Sequence, residues 1–184
     1  MFGPVLMASA KASGFKCLII SSEKFATDQK ARNEHSVFRY RMLPDVLRVH
    51  KSVMMLDTDS IVRKPFKIEP WVDIGLIYRP GKHAKNKICG SAVYFSSRAL
   101  PAAEWLRKRL SGVTEWYDDQ LALLELFAGR KYRFQIFDET WVNWHMDDHA
   151  PIWTGKGPLK LTDEWYAEMQ RWHPQAIRPV KGKE

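Results

Sequence analysis

The chain has 184 residues, enough for one domain with a sizeable core, and its 45% apolar and 27% charged residues are ordinary for a globular protein. Its net charge of +8 favours an anionic partner, such as nucleic acid, a lipid surface or a phosphorylated small molecule. The two cysteines, Cys17 and Cys89, form no C-x-x-C pair, so zinc modules and disulfide frameworks are excluded, while a single bridge stays an alternative and a reducing, cytoplasmic compartment is expected.

The first third of the chain alternates helical and extended patterns. The opening apolar run has no basic stretch before it and is too short to cross a bilayer, so a soluble protein without a transmembrane segment is expected. Residues 4–13, closed by a glycine, predict a short helix, and FKCLII at 15–20 predicts a buried strand. Residues 34–50 predict an amphipathic helix interrupted near Pro44, and 52–60 predict a second buried strand. This order is typical of an α/β fold.

The remaining chain adds elements of both kinds. Strands are predicted at 73–78, 88–96 and 132–137, and helices at 101–112, 117–129 and 161–172. The segment between Asp138 and Lys160 is irregular and rich in tryptophan, and Thr162 is predicted to cap the last helix. We expect a single domain over 1–178, followed by a basic tail at 179–184.

Two aspartates end the second predicted strand, SVMMLDTDS. In an extended chain, residues i and i+2 project from one side, so Asp57 and Asp59 would face the same point beyond the strand. Two carboxylates repel each other there, and Mg²⁺ or Mn²⁺ relieves that repulsion while leaving coordination positions for phosphate oxygens. The alternative is a pair of turn-forming aspartates, one of which caps a following loop. The apolar run VMML directly before the pair favours the metal site.

Five segments resemble one enzyme family in their order along the chain. Residues 39–66, RYRMLPDVLRVHKSVMMLDTDSIVRKPF, resemble the part of GT-A-fold glycosyltransferases where a helix leads into a strand ending in D-x-D. The likeness is to the family-eight group, with its glycogenin-like and lipopolysaccharide sugar transferases. ICGSAVYFS at 88–96, YDDQLAL at 117–123, TWVN at 140–143 and WTGKGPLK at 153–160 resemble its later motifs. The resemblance implies a Rossmann-type mixed sheet flanked by helices.

The same resemblance implies the chemistry of the site. It predicts a metal-dependent glycosyltransferase that moves a sugar from a nucleoside-diphosphate sugar, with UDP as the expected nucleotide, to an acceptor hydroxyl. Asp57 and Asp59 would bind Mn²⁺ or Mg²⁺, and Asp57 and Thr58 would contact the donor. A lysine of the late G-x-x-K loop would stabilise the departing diphosphate. That lysine is Lys160 when the motif is counted from Gly157.

Further site residues follow from the family motifs. Lys156 competes with Lys160 if the loop register is taken from elsewhere. Asp119 and Gln120 match the D-Q pair that faces the donor sugar, and they would face the same crevice as the D-x-D pair. Arg41 stands where the family has a basic donor contact. Arg39 lies some 200° round the helix from it, so both can hardly point into one site.

The D-Q helix also carries a packing prediction. On the helical period, Leu121, Leu124 and Phe127 would pack inward.

Two departures from the family pattern stand out. The family has a metal-binding histidine three residues before the late glycine, where this chain has Thr154 or Ile152, depending on which glycine is counted. His149 or His145 would then be the third ligand, the alternative being an ordinary surface histidine. Family members also begin with a strand and loop that hold the base, whereas this chain starts at the helix after them. We therefore expect an N-terminally shortened fold with an open strand edge, at which two copies could pair; the alternatives are that the true start lies upstream or that another subunit completes the site.

Two other functions remain as alternatives. A haloacid-dehalogenase-like phosphatase would use Asp57 as nucleophile and Asp59 as acid/base, with the pair at 147–148 holding Mg²⁺, but a helix and a strand precede the motif where that family normally begins. A non-catalytic sugar- or nucleotide-binding protein would use the tryptophans of 141–153 for stacking. Nucleic acid is the weaker form of this second alternative, because the aspartates at 147–148 would repel its backbone.

Overall fold

A computed structural model describes residues 3–17, 29–112, 115, 117–155 and 157–176 of the chain. Its helices are α1 (Gly3–Ala12), α2 (Gln29–Val49), α3 (Leu100–Arg109), α4 (Asp118–Ala128) and α5 (Asp163–Trp172). Its strands are β1 (Ser52–Leu56), β2 (Ser60–Val62), β3 (Ile74–Tyr78), β4 (Ile88–Ser96), β5 (Phe134–Phe137), β6 (Val142–Asn143) and β7 (Ile152–Thr154). No helix within these residues is long and apolar enough to cross a membrane.

The described residues form two compact units. The larger unit spans Ile20–Leu56 and Ile68–Phe137, and the smaller unit spans Met1–Ile19, Asp57–Lys67 and Asp138–Glu184. The expectation of one domain over 1–178 stays a prediction, and the tail at 179–184 lies outside the described residues.

The larger unit is built on a mixed sheet of four strands in the order β1-β4-β3-β5. Strand β4 is antiparallel to both β1 and β3, whereas β3 and β5 run parallel. Eight of the nine residues of β4 are buried, because this strand lies inside the sheet and has little solvent on either face. Helices α2, α3 and α4 complete the core. The predicted strand at 88–96 is confirmed at both ends.

Helix α2 runs through Pro44 without the predicted interruption. Proline has no N–H to donate and normally breaks one helical hydrogen bond. Here Tyr40, Leu43 and Leu47 bury their side chains in the core on both sides of the proline, with no more than 3% of their surface exposed. This burial holds the helix together across the missing bond.

Helix α4 presents a different face to the core from the predicted one. Ala122 and Leu123 are fully buried, while Leu121 is only half-buried. Leu124 and Phe127 are also half-buried, but they do pack against the core. The buried face is therefore shifted from the predicted row, and the prediction that Leu121 packs inward is wrong.

The smaller unit contains a sheet of three short strands in the order β2-β7-β6. Strands β2 and β7 are antiparallel, and β6 and β7 are parallel. Helices α1 and α5 pack with this sheet around a small core. Its buried apolar residues are Val5, Ile61, Ala150, Trp153, Trp165, Met169 and Ala176.

Helix α1 confirms the predicted helix at 4–13, and Gly14 ends it. Gly14 adopts a left-handed φ of 81° and donates to Lys11, while Phe15 donates its N–H to the carbonyl of Ala10. This pair of hydrogen bonds satisfies carbonyls at the helix end.

The predicted strand at 15–20 is wrong for Phe15, Lys16 and Cys17, which belong to no strand. The N–H of Phe15 is engaged in ending α1, and its ring packs on Phe66 with the ring centres 4.6 Å apart. Residues 18–20 lie outside the described residues.

Candidate active site

Asp57 and Asp59 belong to a tight turn rather than to an extended strand. Strand β1 ends at Leu56, and Ser60 donates its N–H to the carbonyl of Asp57 over 3.0 Å. The prediction that the two carboxylates share a side through the period of an extended chain is therefore wrong. Their proximity comes from the turn, in which both residues are half-buried and Thr58 is exposed.

The backbone of Asp59 is hydrogen-bonded to the residue that follows strand β7. Strand β2 begins at Ser60, opposite Thr154 of β7. Gly155, the residue after β7, extends the ladder by donating its N–H to the carbonyl of Asp59 over 3.0 Å. The late glycine-containing loop thus lies directly beside the D-x-D turn.

Lys160 returns to this point through a short 3₁₀ helix at Gly157–Leu161. Its ammonium group forms an ion pair with Oδ2 of Asp59, and the Asp59 side chain is only 15% exposed. The carbon chain of Lys160 passes over Gly155, where an added Cβ would lie 2.8 Å from Cγ of the lysine. A glycine is needed at position 155 for this close passage.

The surroundings of Asp59 disfavour the ionised form of its carboxylate. Burial raises its pKa, and the negative charge of Asp57 adds to this rise, whereas the hydrogen bond and the charge of Lys160 act in the opposite direction. The oxygen Oδ1 of Asp59 is buried and has no hydrogen-bond partner among the described residues. A buried acceptor without a partner is costly, so this oxygen is suited to a ligand that brings positive charge.

The aspartate pair fits a divalent cation that takes its other ligands from phosphate and water. Mg²⁺ is commonly held by one or two carboxylates together with substrate phosphates. The orphaned Oδ1 of Asp59 and the nearby Asp57 supply such carboxylates. Within the described ranges, no group of three or more His, Cys, Asp or Glu side chains could hold a metal. The role of Asp57 and Asp59 as metal ligands stays a prediction.

The structure does not gather the predicted third ligand into this group. His149 is exposed in a turn, where its N–H donates to Oδ1 of Asp147 over 2.8 Å. His145 is also exposed, and its N–H donates to the side chain of Asn143. Thr154 is buried in β7. Lys156, the alternative lysine, lies outside the described residues.

A second polar cluster lies in the larger unit around Asp119. This aspartate stands in the first turn of α4 and is 5% exposed. Its Oδ1 accepts the N–H of Gln120 over 2.8 Å, and its Oδ2 lies 3.4 Å from the guanidinium of Arg39. The side-chain oxygen of Gln120 is buried without a partner among the residues described.

Arg39, rather than Arg41, is the arginine that contacts Asp119. The carbonyl of Arg41 accepts a hydrogen bond of 2.7 Å from Arg107, and its own side chain is half-buried. The donor-binding role of Arg41 stays a prediction. The family pattern indicated Arg41 and set Arg39 aside, and the contact of Arg39 with Asp119 is found only in the structure, where the two side chains meet at Gly90. An added Cβ there would lie 2.7 Å from Nη2 of Arg39 and 3.3 Å from Oδ2 of Asp119.

The predicted site residues divide between the two units. Asp57, Thr58, Asp59 and Lys160 belong to the smaller unit, which brings Asp59 and Lys160 into direct contact. Arg41, Asp119 and Gln120 belong to the larger unit. The prediction that both sets face one crevice therefore stays a prediction.

Three of the residues behind the two alternative functions make contacts within the smaller unit. Asp148 forms an ion pair with Arg63, and the carbonyl of Asp147 accepts the indole N–H of Trp153 over 2.7 Å. Trp153 itself belongs to the core of the smaller unit, and the Cζ atom of Arg63 lies 3.7 Å from the centre of its ring. These contacts give Asp147, Asp148 and Trp153 structural roles.

Comparison with known proteins identifies the fold. No protein-family model matches the chain, and no curated protein matches it. A solved glycosyltransferase involved in the glycosylation of the major capsid of PBCV-1 is similar at a TM-score of 0.62 with 13% identity, covering 94% of this chain and 91% of that chain.

Two further solved structures are similar at lower scores. Mouse xyloside xylosyltransferase 1 in its apo form has a TM-score of 0.46 and 11% identity, covering 84% of this chain and 72% of that one. The apo-form glycosyltransferase GlyE of Streptococcus pneumoniae TIGR4 has a TM-score of 0.46 and 15% identity, covering 91% of this chain and 51% of that one. With mixed sheets flanked by helices and the match to the PBCV-1 protein, the chain has an α/β fold of the glycosyltransferase type.

Proposed function

We propose that this protein is a metal-dependent glycosyltransferase that moves a sugar from a nucleoside-diphosphate sugar, with UDP as the preferred nucleotide, to an acceptor hydroxyl. The observation that carries the proposal is the ion pair between Asp59 and Lys160, with Asp57 nearby. A pair of carboxylates next to a lysine is suited to a diphosphate with its cation, because the carboxylates hold the cation and the ammonium meets phosphate oxygens. The glycosyltransferase-type fold is consistent with this chemistry.

The leaving group determines what these residues have to do. When the anomeric bond breaks, negative charge accumulates on the departing diphosphate. A bound Mn²⁺ or Mg²⁺ would neutralise part of that charge. Asp57 and Asp59 would hold the cation, Thr58 would contact the donor, and Lys160 would pair with phosphate oxygens. Burial of Asp59 keeps water from competing for these contacts.

Residues of the larger unit are assigned to the sugar by family resemblance. Asp119 would support the positive charge that develops on the sugar ring, and Gln120 would offer its side-chain amide to a hydroxyl group. Arg39 would orient the Asp119 carboxylate through the contact of 3.4 Å between them. These roles are tested separately from the diphosphate site.

The direct test is calorimetric titration of the protein with UDP, GDP and ADP, each with Mn²⁺ and with a chelator. We expect UDP to bind in the presence of Mn²⁺ and to lose most of its affinity on chelation or in Asp57→Ala. Glu139→Ala is the matched control, because this acid of the same unit is exposed, and its backbone carbonyl, which the substitution keeps, accepts the side-chain N–H of Asn143. UDP affinity that is indifferent to both Mn²⁺ and Asp57→Ala would contradict the metal role. Release of UDP from UDP-sugars then tests the transferase itself.

The cellular setting is also proposed. Within the part of the chain that the structure describes, neither Cys17 nor Cys89 forms a disulfide, which suits the reducing cytoplasm. Size-exclusion chromatography tests the expected pairing of two copies.

A further inference from the structure

The two oxygens of the Asp59 carboxylate are in different states. Oδ2 holds the ammonium group of Lys160, whereas Oδ1 is enclosed by protein without a hydrogen-bond partner among the described residues. One oxygen of this carboxylate is therefore paired with a cation, whereas the lone pairs of the other oxygen can still accept a ligand.

Lys160 is positioned by packing as well as by charge. Its carbon chain lies against Gly155, where an added Cβ would come within 2.8 Å of Cγ and 3.1 Å of Cε. The lysine side chain is 30% exposed, so most of it is covered by protein. The ammonium group is therefore held at Asp59 by its own stem, and its presence there does not require a bound ligand.

A divalent cation that approaches Asp59 meets this ammonium group. Like charges at one carboxylate repel each other strongly in a half-buried place, where water screens them poorly. A diphosphate offers Lys160 another anionic partner within the same site. The ammonium group can then leave Oδ2 without losing its countercharge.

We propose that Lys160 and a divalent cation exclude each other at Asp59, so that the cation binds tightly only together with a diphosphate that draws the ammonium group away. This inference rests on the proposed function and concerns the order of binding at the same site. By linkage, the diphosphate must raise the affinity for the cation by the same factor by which the cation raises the affinity for the diphosphate. Lys160 thus makes the site selective for the metal–nucleotide pair over the free metal.

The test is titration of the protein with Mn²⁺ alone. Electron paramagnetic resonance measures the concentration of the free ion at each step. Lys160→Met removes the charge and keeps the apolar stem, so we expect it to bind Mn²⁺ about 10-fold more tightly than the wild type, within the usual range of coupling between sites. Lys160→Arg keeps the charge and should retain the weak binding. Lys64→Met is the matched control, because Lys64 is an exposed lysine of the same unit that bonds to the carbonyl of Asp148.

A second titration measures the coupling itself. In the wild type, UDP should raise the affinity for Mn²⁺ about 10-fold or more, and in Lys160→Met this factor should be smaller, because only the direct contact between the cation and the phosphates then couples the two ligands. Equal Mn²⁺ affinities of the wild type and Lys160→Met without nucleotide would overturn the inference. Failure of the wild type to bind UDP with Mn²⁺ would instead overturn the proposed function, while the titration with Mn²⁺ alone still decides whether Lys160 and the cation exclude each other.

Discussion

The guanidinium of Arg39 lies 3.4 Å from the carboxylate of Asp119, which follows it by 80 residues in the chain. The two side chains meet above Gly90 in strand β4, whose missing side chain leaves the space that they occupy. The side chain of Asp119 is 7% exposed and that of Arg39 is 22% exposed, so the pair is largely shielded from water. A charged pair at this depth requires both partners, because either one alone would be a buried charge without compensation.

Replacing Gly90 by alanine should displace Arg39 from Asp119. The new Cβ would lie 2.7 Å from Nη2 of Arg39, and the guanidinium is the flexible end of its side chain. We therefore expect a slower transfer reaction and also a lower stability, because Asp119 would keep a buried charge without its partner; the measurements are kcat for a UDP-sugar and the thermal unfolding midpoint. Gly81→Ala is the matched control, since nothing lies within 4 Å of its added Cβ. Equal kcat values for the two variants would contradict the role of the pair.

Asp119→Asn should lower kcat by about 100-fold, the loss typical of removing one preorganised electrostatic contact. Nucleotide affinity should remain unchanged, because the predicted partner of Asp119 is the sugar and not the diphosphate. Calorimetry with UDP and steady-state kinetics separate these two effects. Asp118→Asn, which changes the preceding residue of the same helix turn, is the control. A loss of UDP affinity without a loss of kcat would show that the assignment to the sugar is wrong.

The acid stability of the larger unit should depend on Asp73. Its carboxylate accepts hydrogen bonds from Arg133 at 3.1 Å and from Arg98 at 2.6 Å. These contacts hold the pKa of Asp73 well below its usual range, and the hydrogen bond from Arg133 has the largest effect. A depressed pKa contributes stability above the unfolded-state pKa of about 3.9, and this contribution is lost as the pH falls through the folded-state pKa.

We therefore expect the urea midpoint of the wild type to fall more steeply between about pH 5 and pH 2 than that of Asp73→Asn. Glu69→Gln, an exposed acid nearby in the chain, should behave like the wild type. Parallel curves for the wild type and Asp73→Asn would show that the two arginines do not stabilise the ionised form.

Thr162 should contribute about 1 kcal/mol to the stability of the smaller unit, the usual worth of a helix N-cap. Its hydroxyl accepts the N–H of Trp165 over 3.2 Å and donates to the carbonyl of Leu159 over 2.9 Å. Chemical denaturation of Thr162→Ala should show this loss, while Thr162→Ser should retain most of the stability. If the serine and alanine variants lose stability equally, the hydroxyl group has no capping role.

Local patterns in the sequence predicted many of the secondary-structure elements. The strand at 88–96 and the helix closed by Gly14 appear as predicted, and Thr162 caps α5. These features depend on neighbours in the chain, since apolar periodicity and capping groups act within a few residues. For such elements, the tertiary structure adds only the partner against which each one packs.

The errors concern segments in which a distant contact outweighs the local pattern. The apolar residues from Phe15 onwards predicted a strand, but the N–H of Phe15 ends α1 and its ring packs on Phe66. Pro44 predicted an interruption, but the burial of its neighbours in the core carries α2 through it. The contact of Phe15 with Phe66 and the burial around Pro44 cannot be predicted from a short window of sequence, because these partners lie elsewhere in the chain.

The sequence by itself determined which residues carry charge and that an apolar strand leads into the two aspartates, and this was enough to single out Asp57 and Asp59 as candidate ligands. Only the tertiary structure decided that they lie in a turn, that Lys160 pairs with Asp59 over Gly155, and that Oδ1 of Asp59 is left without a partner among the described residues. The physical reason is that a carboxylate's state depends on its burial and on the charges around it. Both are set by chain segments far apart in sequence.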